Sequence, residues 1–187
     1  HVGGACVSQT QILNAAGTFY IVTSCGLIAK VVPSGGAPVS GSITVKVTID
    51  TSVQVYNNSP YVQRHYDIEP ATNAANATAT VTLYFTQADF DAYNAVRGGL
   101  PALPTGLSDA TGIANLRITQ FHGFGIAPGN YPGSAVLIDP NDANIICNES
   151  NRRWEITFDV TGFGGFFFPT TVVTVPLPLN LLHFSGP

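Results

Sequence analysis

Two acids, Asp67 and Glu69, alternate along the segment RHYDIEP. Alternate side chains of an extended strand lie on one face, and strand geometry places these two about 6–7 Å apart. Glycoside hydrolysis uses a pair of carboxylates in this way when both acids face a cleft. The alternative, which the sequence favours, is that Arg64, His65 and the two acids form cross-strand polar pairs on a solvated face.

A histidine stands at position 1, which raises the chemistry of a copper-dependent polysaccharide oxygenase. In the copper brace of such enzymes, the amino group and imidazole of residue 1 bind the metal together with a second histidine. His65, His122 or His183 would have to supply that second ligand. His1 can equally be the remnant of a tag or an arbitrary boundary of the chain, and this interpretation is preferred.

The loop segment IDPNDAN is rich in side-chain oxygen donors, which are Asp139, Asn141, Asp142 and Asn144. Calcium takes six to eight oxygen ligands, and such a loop could supply several of them. The spacing differs from that of an EF-hand, because the central glycine and the terminal glutamate are missing. The simpler alternative is an Asx-turn, in which these side chains bond their own backbone.

Sugar binding requires flat aromatic faces beside a few polar groups. The candidates are Tyr61, Phe121, His122 and Tyr131, the last in a loop rich in glycine and proline. The single tryptophan, Trp154, lies on the apolar side of a strong strand pattern and is expected in the core. The consecutive phenylalanines at 166–168 follow three glycines, which permit a bulge or sharp bend. We expect them to close the core, from a strand that crosses an open edge of the sandwich or is buried on both faces, and a ligand platform is the alternative.

Three cysteines, Cys6, Cys25 and Cys147, are present. A disulfide between Cys6 and Cys25 would close a loop of about 20 residues and would stabilise the chain by roughly 3 kcal/mol. Cys147 would then be free. Three reduced, buried thiols are the alternative. The sequence contains no C-x-x-C pair, so a thiolate metal site is not expected.

The elements that must position these residues are mostly strands. Apolar and polar residues alternate in SITVKVTID, TATVTLYF and RWEITFDV, which is typical of strands with one core face. Weaker patterns predict further strands at 18–23, 26–32, 61–69, 113–121, 134–139 and 171–175. One helix is predicted in TQADFDAYNAV, where Thr86 is a good N-cap and Asp89 imitates the acid of a capping box.

About nine strands separated by turns predict an all-β fold, an antiparallel β-sandwich (Ig-like or jelly-roll-like) with one short helix. We assign residues 1–175 to a single module. Pro176 and Pro178 cannot donate ladder hydrogen bonds, so residues 176–187 are expected to form an extended, apolar tail or the lead-in to a following domain.

The composition excludes some functions. The chain of 187 residues has only seven Lys and Arg, and its net charge of −4 does not suit a nucleic-acid binder. Its apolar stretches are short and interrupted, so no membrane span is predicted. A chain rich in Thr, Val, Ala, Gly and Asn with little Lys fits a secreted, extracellular β-protein.

Long parts of the chain resemble one family. They are YVQRHYDIEPATNAANATATVTLYFTQADFDAYNAV, LPTGLSDATGIANLRITQFHG, PGNYPGSAVLIDPNDANIICN and RRWEITFDVTGFGGFFF. They are similar to β-rich modules of secreted and cell-surface proteins of the Bacteroidetes, which typically precede the C-terminal sorting domain of the type IX secretion system. The resemblance runs from about Cys6 onward, although the family pattern usually has an aromatic residue where Cys147 stands.

The resemblance implies an extracellular module of a larger protein and supplies no catalytic residues. The preferred function is therefore a non-catalytic adhesion or carbohydrate-binding module, with a polysaccharide or another cell-surface ligand as its partner. A structural or assembly module, either a spacer or a self-assembling filament subunit, is the alternative. A copper-dependent oxygenase or glycoside hydrolase is third. Apart from the calcium alternative, no cofactor is expected.

Overall fold

The computed structural model describes residues 4–5 and 8–170 of the chain. Within them fourteen strands follow one another: β1 (Gly4–Ala5), β2 (Gln9–Leu13), β3 (Phe19–Thr23), β4 (Gly26–Pro33), β5 (Gly41–Ile49), β6 (Gln54–Tyr56), β7 (Ser59–Tyr61), β8 (Arg64–Pro70), β9 (Thr78–Phe85), β10 (Ile118–His122), β11 (Ala135–Ile138), β12 (Ile145–Asn148), β13 (Arg153–Thr161) and β14 (Gly164–Phe167). Two helices, α1 (Gln87–Val96) and α2 (Ala110–Asn115), and a 3-10 turn at Asp142–Asn144 lie between strands.

Two antiparallel sheets form the body of the protein. Sheet A has the order β1-β5-β8-β14-β10-β11, with β2 also paired to β5. Sheet B has the order β12-β13-β9-β4-β3, and β6 and β7 form a separate hairpin. The predicted all-β sandwich is therefore confirmed.

The core lies between the two sheets and follows from the alternation in their strands. In β5 the side chains of Ile43, Val45 and Val47 are buried, while the residues between them are partly exposed. Rings from the two sheets meet in this core, as in the pair Phe158 and Phe166, whose centroids are 5.7 Å apart. The strong strand patterns thus predicted the core face correctly.

The chain crosses from sheet B to sheet A between β13 and β14. Gly162 makes the turn with a φ of +73°, a conformation that favours glycine. In β14 and just beyond it, residues 166–168 are all buried. Phe166 and Phe168 belong to the main core, whereas Phe167 packs with a second cluster of aromatic residues. The expectation of a strand buried on both faces is confirmed.

Helix α1 begins as the sequence predicts. The Thr86 hydroxyl accepts a hydrogen bond from the Asp89 backbone, and the Asp89 carboxylate accepts one from the Thr86 backbone, which completes a capping box. Phe90 and Tyr93 are buried and fasten the helix to the sandwich. Asp89 also pairs with Arg64 of β8 at 2.8 Å, which ties the helix to sheet A.

Some elements differ from the prediction. The predicted strand at 113–121 begins only at Ile118, because Asp109 caps a short helix, α2, over the preceding residues. The short strands β1, β2, β6, β7 and β12 were not predicted. The predicted strand at 171–175 and the tail at 176–187 lie outside the described residues, and so does the boundary drawn between them.

No helix among the described residues is long and apolar enough to cross a membrane.

Trp154 tests the core directly. Its ring is fully buried beside Phe90, and its Nε1 donates to Gln87 Oε1 at 2.9 Å. We expect Trp154→Ala to lower the free energy of unfolding by about 3–5 kcal/mol, because it leaves a cavity and an unpaired amide oxygen. Urea unfolding followed by circular dichroism measures this. Trp154→Phe keeps most of the packing and serves as the control, and equal stability of all three proteins would contradict the assignment.

Candidate functional site

The outward face of sheet A carries most of the candidate residues, and we call it the covered face. Strand pairing sets its side chains in rows across the sheet. Thr48 lies opposite His65, and Lys46 lies opposite Asp67. On the neighbouring strands β14 and β10, Phe167 lies opposite Thr119 and Gly165 lies opposite Phe121, and these residues also face outward. Polar groups from β5 and β8 therefore stand next to aromatic groups from β14 and β10.

Two segments lie over these rows. The β6–β7 hairpin contributes Tyr56 and Tyr61, and the loop at 123–134 contributes Tyr131. The Tyr61 ring meets Phe167 edge-on with centroids 5.1 Å apart. Tyr131 stacks on Phe121 at 5.5 Å. The rings thus form a small second core on the outside of sheet A.

A glycine makes room for the contact between loop and sheet. The Tyr131 hydroxyl donates a hydrogen bond to Asp67 Oδ1 of β8. To reach it, the Tyr131 side chain passes over Gly165, where a Cβ would collide with the hydroxyl and the ring. A Cβ at Gly125 would lie 2.7 Å from the same ring. Two glycines and one carboxylate therefore fix the position of Tyr131.

Burial shifts the acid equilibrium of Asp67. Its side chain is almost completely buried, with 2% of the residue exposed. Burial raises the pKa of Asp67 to about 6, with a further rise from Glu69, while the Tyr131 hydrogen bond and Lys46 oppose the rise. Burial also raises the pKa of Tyr131 well above its ordinary value. The phenol therefore stays protonated and donates to the carboxylate at neutral pH.

His65 is shifted in the opposite sense. It is 3% exposed, and its ring stacks on Phe167 with centroids 4.7 Å apart. Burial, and secondarily the charge of Lys46, lowers the pKa of His65 to about 4. Its Nε2 lies 3.4 Å from Asp50 Oδ2. His65 is therefore neutral at pH 7 and packs as an aromatic ring.

Some of the buried polar side chains beneath the aromatic rings of the covered face lack hydrogen-bond partners. Four buried side-chain atoms of the described residues have no hydrogen-bond partner, and all four lie here: Thr48 Oγ1, His65 Nδ1, Asp67 Oδ2 and Thr119 Oγ1. An unpaired buried polar group costs about 1–3 kcal/mol. Packing of the aromatic rings therefore stabilises the covered face more than hydrogen bonds between its buried polar groups do.

Three of the four predicted ligand residues come together here. Tyr61, Phe121 and Tyr131 are all buried in the aromatic cluster, and their rings pack on one another and on Phe167. The gap left beside them is about 10 Å³, room for about one water molecule and far smaller than a sugar ring. Ligand binding at these residues stays a prediction, and it would require the cover to move.

The fourth predicted ligand residue, His122, lies apart from them. Its ring nitrogens Nδ1 and Nε2 lie 3.0 and 3.1 Å from the backbone carbonyl oxygens of Ser134 and Thr161. The ring thus links the loop at 123–134 to the end of β13. In this arrangement His122 positions backbone segments and does not present a free imidazole.

In the loop considered as a calcium site, two of the four candidate side chains already bond to other groups of the protein. Asp139 pairs with Arg117 at 2.9 Å. The Asn141 side chain accepts from the backbone nitrogen of Ala143 at 2.9 Å and caps the 3-10 turn, as an Asx-turn requires. Asp142 and Asn144 are exposed. Within the described residues no group of three or more His, Cys, Asp or Glu side chains is placed to hold a metal ion.

The copper brace and the disulfide involve residues that lie outside the described ranges. His1 and His183 are among them, and of their predicted partners His65 is buried while His122 contacts two carbonyls. Cys6 is also outside, so the Cys6–Cys25 disulfide stays a prediction. Cys147 carries a free thiol.

The outward face of sheet B differs sharply from the covered face, and we call it the open face. One row crosses four strands through the pairs Tyr20 with Lys30, Lys30 with Thr82, and Thr82 with Thr157. Tyr20 is 56% exposed. Val22 and Ile146, at the two edges of the same sheet face, are exposed as well. No other described element therefore covers these positions.

Ionic and hydroxyl groups fill the rest of the open face. The Arg153 guanidinium lies 4.5 Å above the centroid of the Tyr84 ring, and its Nε pairs with Glu155 at 3.1 Å. The hydroxyl of Thr80 donates to Asp159 at 2.6 Å, in the row beyond that of Tyr20. The open face thus combines the exposed ring of Tyr20 with both signs of charge and with hydroxyl groups, while the Tyr84 ring is buried beneath Arg153.

Sequence reasoning missed the open face as a candidate site. The sequence predicts a strand at 18–23, which contains Tyr20, from one of the weaker patterns. The available signal was the alternation of FYIVT, in which Phe19 and Ile21 point to the core and Tyr20 and Val22 point outward. An aromatic residue at a strand position that alternates with the core-facing residues indicates an exposed ring.

Comparisons of the chain with protein-family models, with curated proteins and with solved structures find no match. Function therefore has to be inferred from the two sheet faces themselves. The similarity to Bacteroidetes surface modules stays a prediction from the sequence.

The opposite shifts of Asp67 and His65 predict how stability depends on pH. The folded state holds the Asp67 proton up to a pKa of about 6, against an ordinary value of 3.8, so this group lowers stability as the pH rises from about 4 to 6. The folded state disfavours the charged form of His65, whose pKa falls from 6.5 to about 4. That group raises stability over nearly the same interval, so the two effects oppose each other.

Removing either group should expose the effect of the other. We expect Asp67→Asn to become more stable relative to the wild type as the pH rises from 4 to 6.5, and His65→Gln to become less stable, each by on the order of 2 kcal/mol. Urea titrations at several pH values measure both. Parallel profiles for the wild type and both variants would show that these side chains titrate as in the unfolded chain.

Proposed function

We propose that the chain is a non-catalytic, extracellular binding module that holds a polysaccharide on its open face. The observation that carries this proposal is the exposed ring of Tyr20, at the end of a row of outward side chains that crosses sheet B. Thr82 in the middle of this row is buried, and Lys30 and Thr157 are partly exposed. Aromatic rings offer a flat apolar face with a polar end, which suits the C–H faces of sugar rings. The similarity to Bacteroidetes surface modules supports secretion and a larger parent protein.

The dimensions of the open face suit a chain-like ligand. Neighbouring strands lie about 4.8 Å apart, so the row from Tyr20 to Thr157 spans about 14 Å across the sheet. The row beyond it, with Thr80 and Asp159, adds about 7 Å along the strands. A surface of this extent and flatness contacts several units of a polymer at once, whereas a small molecule needs a concave pocket.

The chemistry of the open face also fits sugars. Hydroxyl groups of a polysaccharide can donate to Glu155 and Asp159 and accept from Lys30 and Arg153. The guanidinium of Arg153 is already held over the Tyr84 ring and against Glu155. Donors held in place lose little conformational entropy when a ligand binds.

Affinity electrophoresis tests the proposal with soluble β-glucan, xylan, mannan and chitin oligosaccharides as probes. We expect at least one of them to retard the wild-type protein. Tyr20→Ala should weaken that binding about tenfold, which is about 1.4 kcal/mol, and Arg153→Ala should weaken it as well. Tyr20→Ala should alter stability little, because Tyr20 is exposed. Arg153 forms a partly buried ion pair and packs on Tyr84, so urea unfolding of Arg153→Ala has to accompany its binding measurement.

Phe124→Ala is the matched control. Phe124 is also an exposed aromatic residue, but it lies in the loop at 123–134, on the side of sheet A. Loss of binding in Phe124→Ala with full binding in Tyr20→Ala would move the ligand to that loop. If none of the four glycans retards the wild type, polysaccharide of these classes is not the ligand.

One observation favours the alternative, an assembly module. Strand β11 is an edge of sheet A and pairs with β10 alone among the described strands. Its sequence AVLI contains no charge, and Val136 and Leu137 are exposed. Monomeric proteins commonly protect such edges with charges or proline, because an open edge can pair with a strand of another molecule. A second copy could therefore add its own β11 here.

Sedimentation velocity over a range of concentrations tests assembly. If β11 pairs between copies, the wild type should form larger species as concentration rises, and Val136→Lys should remain a monomer. Ile126→Lys is the control, because Ile126 is exposed in the loop at 123–134 and outside β11. A wild-type protein that is monomeric at every concentration would remove this alternative.

A further inference from the structure

A wide groove lies between the β6–β7 hairpin and the end of α1. It has a volume of about 690 Å³ and lies between the segment 51–63, which contains the β6–β7 hairpin, and the end of α1 with the turn that follows. Its apolar lining is Val53, Val55, Pro60, Ala92, Val96 and Leu100. Val55 is 64% exposed and Val96 is 58% exposed, so the groove presents large apolar side chains to solvent.

The lining contains little charge. Arg97 is its charged residue, and the Arg97 guanidinium donates to the backbone carbonyl of Leu100 within the same turn. The turn is thereby held in shape, and Gly98 and Gly99 leave that wall without side chains. The groove therefore suits an apolar occupant of extended form, whose side chains would reach both walls.

The described part of the chain ends beside this groove. The hydroxyl of Thr170 donates to the carbonyl of Pro101 at 3.0 Å, and it also bonds the hydroxyl of Tyr93 at 2.6 Å. Pro101 directly follows Leu100, which lines the groove, and Tyr93 directly follows Ala92, which also lines it. The last described residue, Thr170, therefore contacts the chain neighbours of two residues that line the groove.

The segment 171–187, TVVTVPLPLNLLHFSGP, has the chemistry that the groove requires. By sequence it contains three valines, four leucines and one phenylalanine, and no Asp, Glu, Lys or Arg. Its 17 residues can reach up to about 56 Å when extended, which is more than the groove demands. Two prolines at 176 and 178 remove backbone donors and favour an extended form.

We propose that this groove is the docking site of the same chain's C-terminal segment, residues 172–184. Burial of the leucines and the phenylalanine against Val55 and Val96 would stabilise the contact by about 25 cal/mol per Å² of apolar surface removed from water. The contact would set the direction in which any following domain leaves the module. It is independent of the open face and of the polysaccharide proposal.

Hydrogen exchange of the full chain, read by mass spectrometry, tests the docking. In the wild type we expect the amides of the peptide covering 172–184 to exchange at least tenfold more slowly than in an unstructured chain. Val55→Lys and Val96→Lys put a charge into the groove and should remove that protection. Both residues are exposed, so the sandwich should stay folded, and slow exchange in β13 reports that it does.

Leu107→Lys is the matched control, because Leu107 is a similarly exposed apolar residue outside the groove. It should leave the protection of 172–184 unchanged. Absence of protection in the wild type, or protection that survives both groove variants, would overturn the proposal. Protection that appears only at high protein concentration would also overturn it, because the occupant would then be the segment of a second copy.

Discussion

Strand β14 is buried on both of its faces, and most of the asymmetry of this protein follows from that burial. Phe166 and Phe168 fill the core between the sheets, so Phe167, which points the other way, needs an apolar cover on the outside of sheet A. The β6–β7 hairpin and the loop at 123–134 provide that cover. On sheet B the outward residues Thr82 and Tyr84 of β9 are buried as well, whereas Tyr20, Val22 and Ile146 on its edge strands are exposed.

The cover determines the unusual electrostatics of the outer side of sheet A. Because the tyrosines lie over β8, Asp67 and His65 are removed from water, and burial is the first cause of both pKa shifts. Asp67, whose pKa is raised, therefore lies in the row next to that of His65, whose pKa is lowered. This pair resembles a catalytic arrangement in composition, but the cover leaves no cleft above it. The geometry favours a structural role for both groups.

Local patterns predicted a large part of the fold. The alternation in β5, β9 and β13 and the capping box at Thr86 are short-range features, and each appeared where the sequence placed it. Strand β14 shows no alternation, because two of its four residues are glycine and two are phenylalanine, so its bounds could not be predicted even though its burial was. Helix α2 was missed because Asp109 caps it inside a stretch rich in glycine and proline.

The candidate site was harder to predict, because it depends on pairing between strands distant in the chain. Tyr61, Phe121 and Tyr131 were selected by residue type, but nothing local distinguishes a ring that covers a sheet from a ring that faces solvent. The difference is made by Gly165, whose missing side chain admits Tyr131. Gly165 lies beside Asp67 only because β14 inserts between β8 and β10.

The two outer faces differ in how their polar groups are satisfied, and this difference bears on function. On the covered face four buried atoms have no partner among the described residues. On the open face Thr82 bonds Thr157, and Arg153 pairs with Glu155. Thr82 is buried, but Arg153 and Glu155 are held in place while still partly exposed, so a ligand would meet charged groups that need little ordering. The exposed ring of Tyr20 stands beside them as the apolar element that such a surface needs to hold a sugar.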